Sequence, residues 1–123
     1  MQNDKVKFKK EFKQRLYKFT LTLIDFLDKL PDDNASKRIG DQLLRSGTSI
    51  IANYIEGQAT SSKKDFTNYF NISLKSANES KLWLALLRDS KRAKTDDVSW
   101  FLNELDEIAN IFGSSILTLK GKR

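Results

Sequence analysis

The sequence contains no cysteine and no histidine among its 123 residues. The absence of thiols excludes disulfides and zinc-thiolate sites, and the absence of imidazoles excludes nucleophilic triads and acid-base catalysis that depend on histidine. The chain also lacks a glycine-rich phosphate loop, a carboxylate pair at metal-ligand spacing and a nucleophile elbow. We therefore expect a protein that is not an enzyme, with no cofactor, metal or catalytic residue.

Turn-forming residues and long apolar runs are also scarce. There are one proline and five glycines, and apolar and polar residues rarely alternate as they do in half-buried strands. No apolar run approaches the ~20 residues that span a bilayer, and the N-terminal MQNDKVKFKK lacks the apolar core of a signal peptide. The prediction is a single all-α domain over residues 1–123, cytoplasmic and without a membrane partner.

Apolar residues recur at helical spacing in four segments, the first two of which cover the N-terminal half. The first stripe stops at Pro31 and consists of Phe8, Phe12, Leu16, Phe19, Leu23, Phe26 and Leu30. The second stripe consists of Ile39, Leu43, Ile50 and Tyr54. Gly57 follows it and is expected to be a left-handed C-cap.

The C-terminal half has two further stripes, each introduced by a capping signal. Residues 62–65 form a capping box before the stripe of Phe66, Phe70, Ser73, Ala77, Leu84 and Leu87. Thr95, with Asp96 and Asp97, is expected to cap the stripe of Val98, Phe101, Leu105, Phe112, Ile116 and Leu119. Four helices with short links predict an antiparallel up-down-up-down bundle, with flexible basic termini at about residues 1–7 and 120–123.

Two helices carry more apolar surface than one bundle requires. Tyr17, Leu21 and Ile24 form a second row on the first helix, and LWLALL at residues 82–87 is apolar around its whole circumference. A helix that is apolar all round is normally buried all round, so these rows need a further surface to cover them. The simplest cover is another copy of the chain, and we expect a homo-oligomer.

The stretch LLRSGTSIIANYIEG places polar residues inside a helical segment. Arg45, Ser49, Asn53 and Glu56 share one helix face because they are spaced by four, four and three residues. If the second and third helices are antiparallel, residues whose numbers sum to about 124 lie opposite each other. Arg45 then faces Glu79, and Ser49 faces Lys75 or Ser76. Small residues at this contact would allow a close, hydrogen-bonded approach, which Gly40 and Gly47 would extend.

These residues carry a resemblance to a known family. The residues that match are Arg45, Ser49, Ile50, Asn53, Glu56, Gly57, Asp65, Phe66, Ile72, Ser76 and Glu79. Their pattern resembles the four-helix bundle proteins encoded by intervening sequences within bacterial 23S ribosomal RNA genes. The resemblance extends over residues 17–119 and departs from the family pattern at Ser46, Ser73 and Lys75, where the family usually has Ala, Ala and Gly.

The resemblance implies a left-handed antiparallel bundle that assembles into a ring of five. It also implies kinship with the accessory proteins of diversity-generating retroelements, which bind nucleic acid and a reverse transcriptase. RNA or DNA, and a reverse transcriptase or other nucleic-acid enzyme, are therefore the expected partners besides the chain itself. No biochemical activity is assigned to the intervening-sequence proteins, so the resemblance is more informative about fold than about function.

Most of the positive charge is expected at one end of the bundle, which we call the basic pole. The net charge is +6. The basic pole gathers eleven cations, namely Lys5, Lys7, Lys9, Lys10, Lys13, Arg15, Lys63, Lys64, Lys120, Lys122 and Arg123. The four carboxylates of Asp4, Glu11, Glu56 and Asp65 oppose them, which leaves a local excess of seven. Such a surface attracts polyanions in a salt-dependent way.

Three functional interpretations remain open at this point. The first is a basic face that binds nucleic acid by its backbone without sequence preference, because Phe8 and Phe12 lie on the core stripe and are not expected to stack on bases. The second is a protein-protein scaffold whose charge serves solubility alone. The third, a small hydrolase or nuclease, would have to use Glu56, Glu79 or Tyr54, for which packing roles are the simpler explanation. Trp83 and Trp100 are interpreted as core or subunit-contact residues.

Overall fold

The computed structural model describes residues 2–121, with Gln2 described by its backbone alone. Over this range α1 spans Gln2–Asp28, α2 Asn34–Ala59, α3 Lys63–Asp89 and α4 Thr95–Leu119, and residues 2–121 include no strand. The prediction of an all-α chain with four helices is confirmed. Within this part of the chain, no helix is both long and apolar enough to cross a membrane.

Two helices begin at side-chain caps. Asp33 accepts a hydrogen bond from the backbone N–H of Ser36 at 3.1 Å, and the Ser62 hydroxyl accepts one from the N–H of Asp65 at 3.2 Å. Each cap satisfies one of the N–H groups that a helix leaves unpaired in its first turn. The predicted cap at Ser62 is therefore confirmed.

The predicted cap at Thr95 is wrong by one residue. Lys94 has the extended N-cap backbone, its carbonyl accepts the first helical bond from Val98, and its side chain makes no capping bond. The preceding turn decides this, because the N–H groups of Arg92 and Ala93 both donate to the carbonyl of Leu87. The chain therefore enters α4 one residue before the threonine.

Gly57 is not the predicted left-handed C-cap. It lies buried inside α2, which continues to Ala59 and ends at Thr60 with a φ of −81°. A Cβ on Gly57 would lie 3.1 Å from the Cβ of Tyr69, so the glycine is needed for the close approach of α3. Among the described glycines, Gly121 is the one with a positive φ.

The core is a column of interlocked rings and aliphatic side chains. Phe12 contacts Phe112 at 5.4 Å between ring centroids and Tyr54 at 5.2 Å, while Phe19 contacts Phe101 at 5.8 Å, all edge to face. Along α1 the partners on α4 therefore descend in number, as they do in an antiparallel pair. The contacts of α1 with both α2 and α4 place α3 diagonally opposite α1, as in the predicted bundle; the handedness stays a prediction.

The N-terminal part of α1 departs from two predictions. Residues 3–7 are helical although they show no apolar pattern, and Phe8 is 53% exposed although it continues the core stripe. The reason is the length of α2, which ends at Ala59 about one turn beyond the Tyr54 that covers Phe12. No residue of α2 is left to cover Phe8.

Candidate nucleic-acid interface

The predicted pairing of α2 with α3 is confirmed at two positions. The Ser76 hydroxyl donates to the Ser49 hydroxyl at 2.8 Å, and Arg45 lies 3.6 Å from the Glu79 carboxylate. Glu79 also accepts a hydrogen bond from the indole N–H of Trp83 at 2.9 Å. Because higher numbers on α2 meet lower numbers on α3, these contacts have the order of an antiparallel pair.

Two further hydroxyls in this contact were not anticipated. Ser46 and Ser80 lie buried with their oxygens 2.7 Å apart, and the Ser73 hydroxyl donates to the carbonyl of Ile50 at 2.9 Å. These serines occupy core positions, where a short hydroxyl fits between two closely packed backbones. Among the described residues, every buried polar side-chain atom has a partner. Lys75, the awkward cation of the sequence pattern, is exposed and outside the contact.

Two expectations about this contact are wrong. The Arg45 side chain is 71% exposed, so its pairing with Glu79 is a surface salt bridge rather than a buried one. Gly40 and Gly47 do not approach α3, since the side chains they would meet are Leu30 and Leu23 of α1. The physical reason is helical rotation: Gly47 is two residues from both Arg45 and Ser49 and therefore lies on the other side of α2.

The remaining polar residues of the predicted motif act within α2 or face solvent. The Asn53 amide donates to both the carbonyl and the hydroxyl of Ser49 at 2.9 Å, and Glu56 is exposed. Tyr54 is buried, and this burial raises the pKa of its phenol, although a hydrogen bond with Gln58 opposes the rise. A nucleophilic or basic tyrosine would need a lowered pKa. No cluster of metal-ligand side chains occurs in residues 2–121.

The ends of all four helices meet at the basic pole. They enclose an open recess of about 360 Å³. Its lining residues are Lys5, Phe8, Lys9 and Phe12 of α1, Tyr54 and Gln58 of α2, Phe66 and Phe70 of α3, and Ile111, Ser115, Thr118 and Leu119 of α4. Lys63 and Lys64 lie in the first turn of α3, and Lys120 directly follows α4. The structure therefore brings the predicted segments together.

Most lysines of the basic pole are exposed and lack a carboxylate partner within the described chain. These are Lys5, Lys9, Lys10, Lys13, Lys63, Lys64 and Lys120. Lys7 lies 4.0 Å from Glu11, a weak and exposed contact. Lys122 and Arg123 lie outside the described residues.

Arg15 differs from the other cations assigned to the basic pole. Its guanidinium donates twice to Glu104, at 2.8 Å each, and lies 3.0 Å from Glu107. The hydrogen bond to Glu104 is the main cause of its raised pKa. The sequence count of opposing charge omitted these two carboxylates, which lie in the middle of α4 and meet Arg15 through the packing of α1 on α4.

The opposite pole has cations of its own, but several are neutralised. Arg92 lies 2.9 Å from Asp33, Arg88 lies 2.8 Å from Asp89, and Lys37 contacts Asp32 at 3.1 Å. The pKa of Asp33 is lowered, first by the Ser36 hydroxyl that donates to it and then by Arg92. The two poles therefore differ in how completely their cations are paired.

The surplus apolar rows are exposed, as predicted. Tyr17 is 60% exposed, Leu21 is 52% exposed and Ile24 follows them on α1. Leu82 and Leu86 form the corresponding exposed row on α3. The two rows lie on diagonally opposite helices of the bundle.

Comparisons with known proteins agree with this architecture. The family model described as 23S rRNA-intervening sequence protein matches residues 9–114. A solved structure of a protein of unknown function from the S23 ribosomal protein family of Bacteroides thetaiotaomicron VPI-5482 is similar to the chain at 33% identity, covering 85% of this chain and 96% of that one, with a TM-score of 0.79. No curated protein matches. From its matched span and its bundle, this chain belongs to the 23S rRNA-intervening sequence protein family.

Proposed function

We propose that this protein is a non-enzymatic homo-oligomer whose basic pole binds the phosphate backbone of RNA or DNA without sequence preference. The observation that carries the proposal is the difference between the two poles. Cations at one end are largely held by carboxylates, whereas at the other end seven described lysines are exposed without a carboxylate partner. Unpaired surface lysines are the groups that exchange their counterions for phosphates.

Self-association would multiply this field. The exposed rows on α1 and α3 lie on different sides of the bundle, so the row of one copy would meet the other row of the next. A head-to-tail contact of this kind forms a ring when its rotation closes, and the resemblance implies a ring of five. In a cyclic ring every basic pole points the same way, and the potentials add.

The binding test neutralises charge at one pole and compares it with an equal change elsewhere. The variant carries Lys5→Gln, Lys7→Gln, Lys9→Gln and Lys10→Gln. The control carries Lys18→Gln, Lys75→Gln, Lys91→Gln and Lys94→Gln, four exposed lysines away from the basic pole. Binding to a labelled RNA is measured over a range of salt concentrations. The first variant should bind more weakly and lose about 0.9 of the log-log salt slope per phosphate contact, while the control should not. Equal titrations of both variants would refute the proposal.

The assembly test uses the mass in solution. Light scattering should give several times the 14.2 kDa of one chain. Leu21→Lys and Leu82→Lys should each lower the mass, because either one places a charge in an apolar contact. Asn103→Lys adds the same charge at an exposed polar position and serves as the control. A 14.2 kDa particle for the unmodified protein would exclude self-association.

The alternative is a scaffold that binds a protein and no nucleic acid. It is favoured by the same exposed apolar rows, which would fit a partner protein as well as another copy. Elution from a polyanion column at very low salt, together with capture of a purified reverse transcriptase or other nucleic-acid enzyme, would support this alternative. Retention to high salt would support nucleic-acid binding.

A further inference from the structure

The recess at the basic pole has aromatic walls. Phe66 and Phe70 lie 4.3 Å apart between ring centroids, and the rings of Phe8 and Phe12 are nearly parallel, with an angle of 7° and a separation of 6.0 Å. Phe12 and Phe70 are buried in the core, whereas Phe8 is half exposed beside an open space. An exposed phenyl ring over an unfilled aromatic recess is a surface on which a flat ligand can stack.

Polar groups accompany the rings. Gln58 lines the recess and presents a carboxamide, which can both donate and accept hydrogen bonds. The hydroxyls of Ser115 and Thr118 donate to carbonyls of their own helix, at 2.8 Å and 3.1 Å, and keep oxygen lone pairs that can accept. Lys5 and Lys9 are exposed members of the same lining. The recess therefore offers π faces, hydrogen-bonding groups and cations together.

We infer that this recess binds an unstacked nucleobase of a single strand, with the adjoining phosphates on Lys5 and Lys9. The inference rests on the proposed function and adds a preference for single strands to it. A nucleotide has the three features that the lining matches, namely a flat ring, polar edges and an anion. A volume of about 360 Å³ is at the lower end of the range for small-molecule sites.

A duplex cannot use the recess in this way. Its bases are stacked and paired, and extruding one requires energy that a free strand does not need. A duplex is therefore limited to the phosphate contacts of the lysines, which single and double strands share. The recess gives only the single strand an additional contact.

The test measures binding of the full chain to a labelled oligothymidine and to a duplex of equal length at one salt concentration. Phe8→Ala should weaken single-strand binding about tenfold and leave duplex binding within about twofold, as expected for the loss of one stacking platform. Phe8→Trp keeps a π face and should preserve single-strand binding. Val6→Ala, at an exposed apolar residue of the same turn that does not line the recess, should change neither.

The possible failures are distinguishable. If Phe8→Ala behaves like Val6→Ala while the lysine variant weakens both substrates, the recess inference is overturned and the proposed function stands. If the unmodified protein binds neither substrate, both are overturned. Competition by decanoate but not by thymidine monophosphate would also overturn the inference, because it would show an aliphatic occupant.

Discussion

The hydroxyl oxygens of Ser46 and Ser80 lie 2.7 Å apart inside the contact between α2 and α3. Ser80 donates its own proton to the carbonyl of Ser76 at 2.8 Å. The proton between the two serines is therefore supplied by Ser46, whose other acceptor, the carbonyl of Leu43, is farther away at 3.3 Å. The result is a directed series of hydrogen bonds from α2 into α3.

This direction predicts unequal effects of two alanine substitutions. Ser80→Ala leaves the buried Ser46 hydroxyl with only its longer bond and should lower the free energy of unfolding by about 1–2 kcal/mol. Ser46→Ala leaves the Ser80 donor paired and should cost about 0.5–1 kcal/mol. Denaturant unfolding at one fixed protein concentration measures both. A larger loss in Ser46→Ala would contradict the assigned direction.

Two glycines predict stability changes of opposite sign. A Cβ on Gly47 would overlap the Cδ2 atom of Leu23, which is fully buried, so Gly47→Ala should destabilise by about 1–2 kcal/mol despite the better helix propensity of alanine. A Cβ on Gly113 would meet nothing within 4 Å, so Gly113→Ala should stabilise by about 0.5–1 kcal/mol. Thermal unfolding of the two variants provides the comparison. Equal shifts would argue against the close approach of α1 to α2.

The Arg15 cluster predicts different roles for its two carboxylates. Glu104 is mostly buried and accepts two bonds, so Glu104→Gln should destabilise by about 1–2 kcal/mol. Glu107 is 65% exposed and makes a single contact, so Glu107→Gln should change stability by less than about 0.5 kcal/mol. High salt should reduce the small effect more than the large one. Similar losses in both variants would be inconsistent with the observed geometry.

Asp33 predicts an acid-dependent contribution to stability. Because Ser36 and Arg92 lower the pKa of Asp33 in the fold, its stabilisation is fully present above its ordinary value of 3.8 and is lost as the pH falls further through the folded pKa. Asp33→Asn keeps an N-cap acceptor but removes the charge. Its Tm should therefore be lower than that of the unmodified protein at neutral pH, and the difference should shrink in acid.

Asp32→Asn is the matched control for this pH dependence. The Asp32 side chain is 95% exposed and contacts Lys37 at 3.1 Å, a pair of the kind that contributes little. Its Tm should follow that of the unmodified protein at every pH. A constant Tm difference for Asp33→Asn from neutral to acid pH would show that Arg92 and Ser36 do not act through the charge.

Sequence reasoning was accurate wherever a fixed periodicity carries the information. Helical spacing alone located the four helices, and the constant rise of two antiparallel helices sufficed to pair Arg45 with Glu79 and Ser49 with Ser76. Both depend on geometry that every α-helix shares. The exposed rows on α1 and α3 also followed from counting apolar residues against the surface that one bundle buries.

Other features depended on where one helix ends relative to another, which no local pattern encodes. Phe8 has the spacing of a core residue, but α2 ends before it can be covered, and this opens the aromatic recess. Gly57 has the position of a C-cap, but α3 packs closely enough to require a glycine inside the helix.

The sequence by itself determined the helices, their pairing register and the segregation of charge, because these follow from the spacing of residues along a regular helix. Only the tertiary structure decided which cations are neutralised, as Glu104 and Glu107 do for Arg15 across 89 and 92 positions of chain. Such contacts depend on the rotation and offset of α1 against α4. These are set by the packing of the whole core.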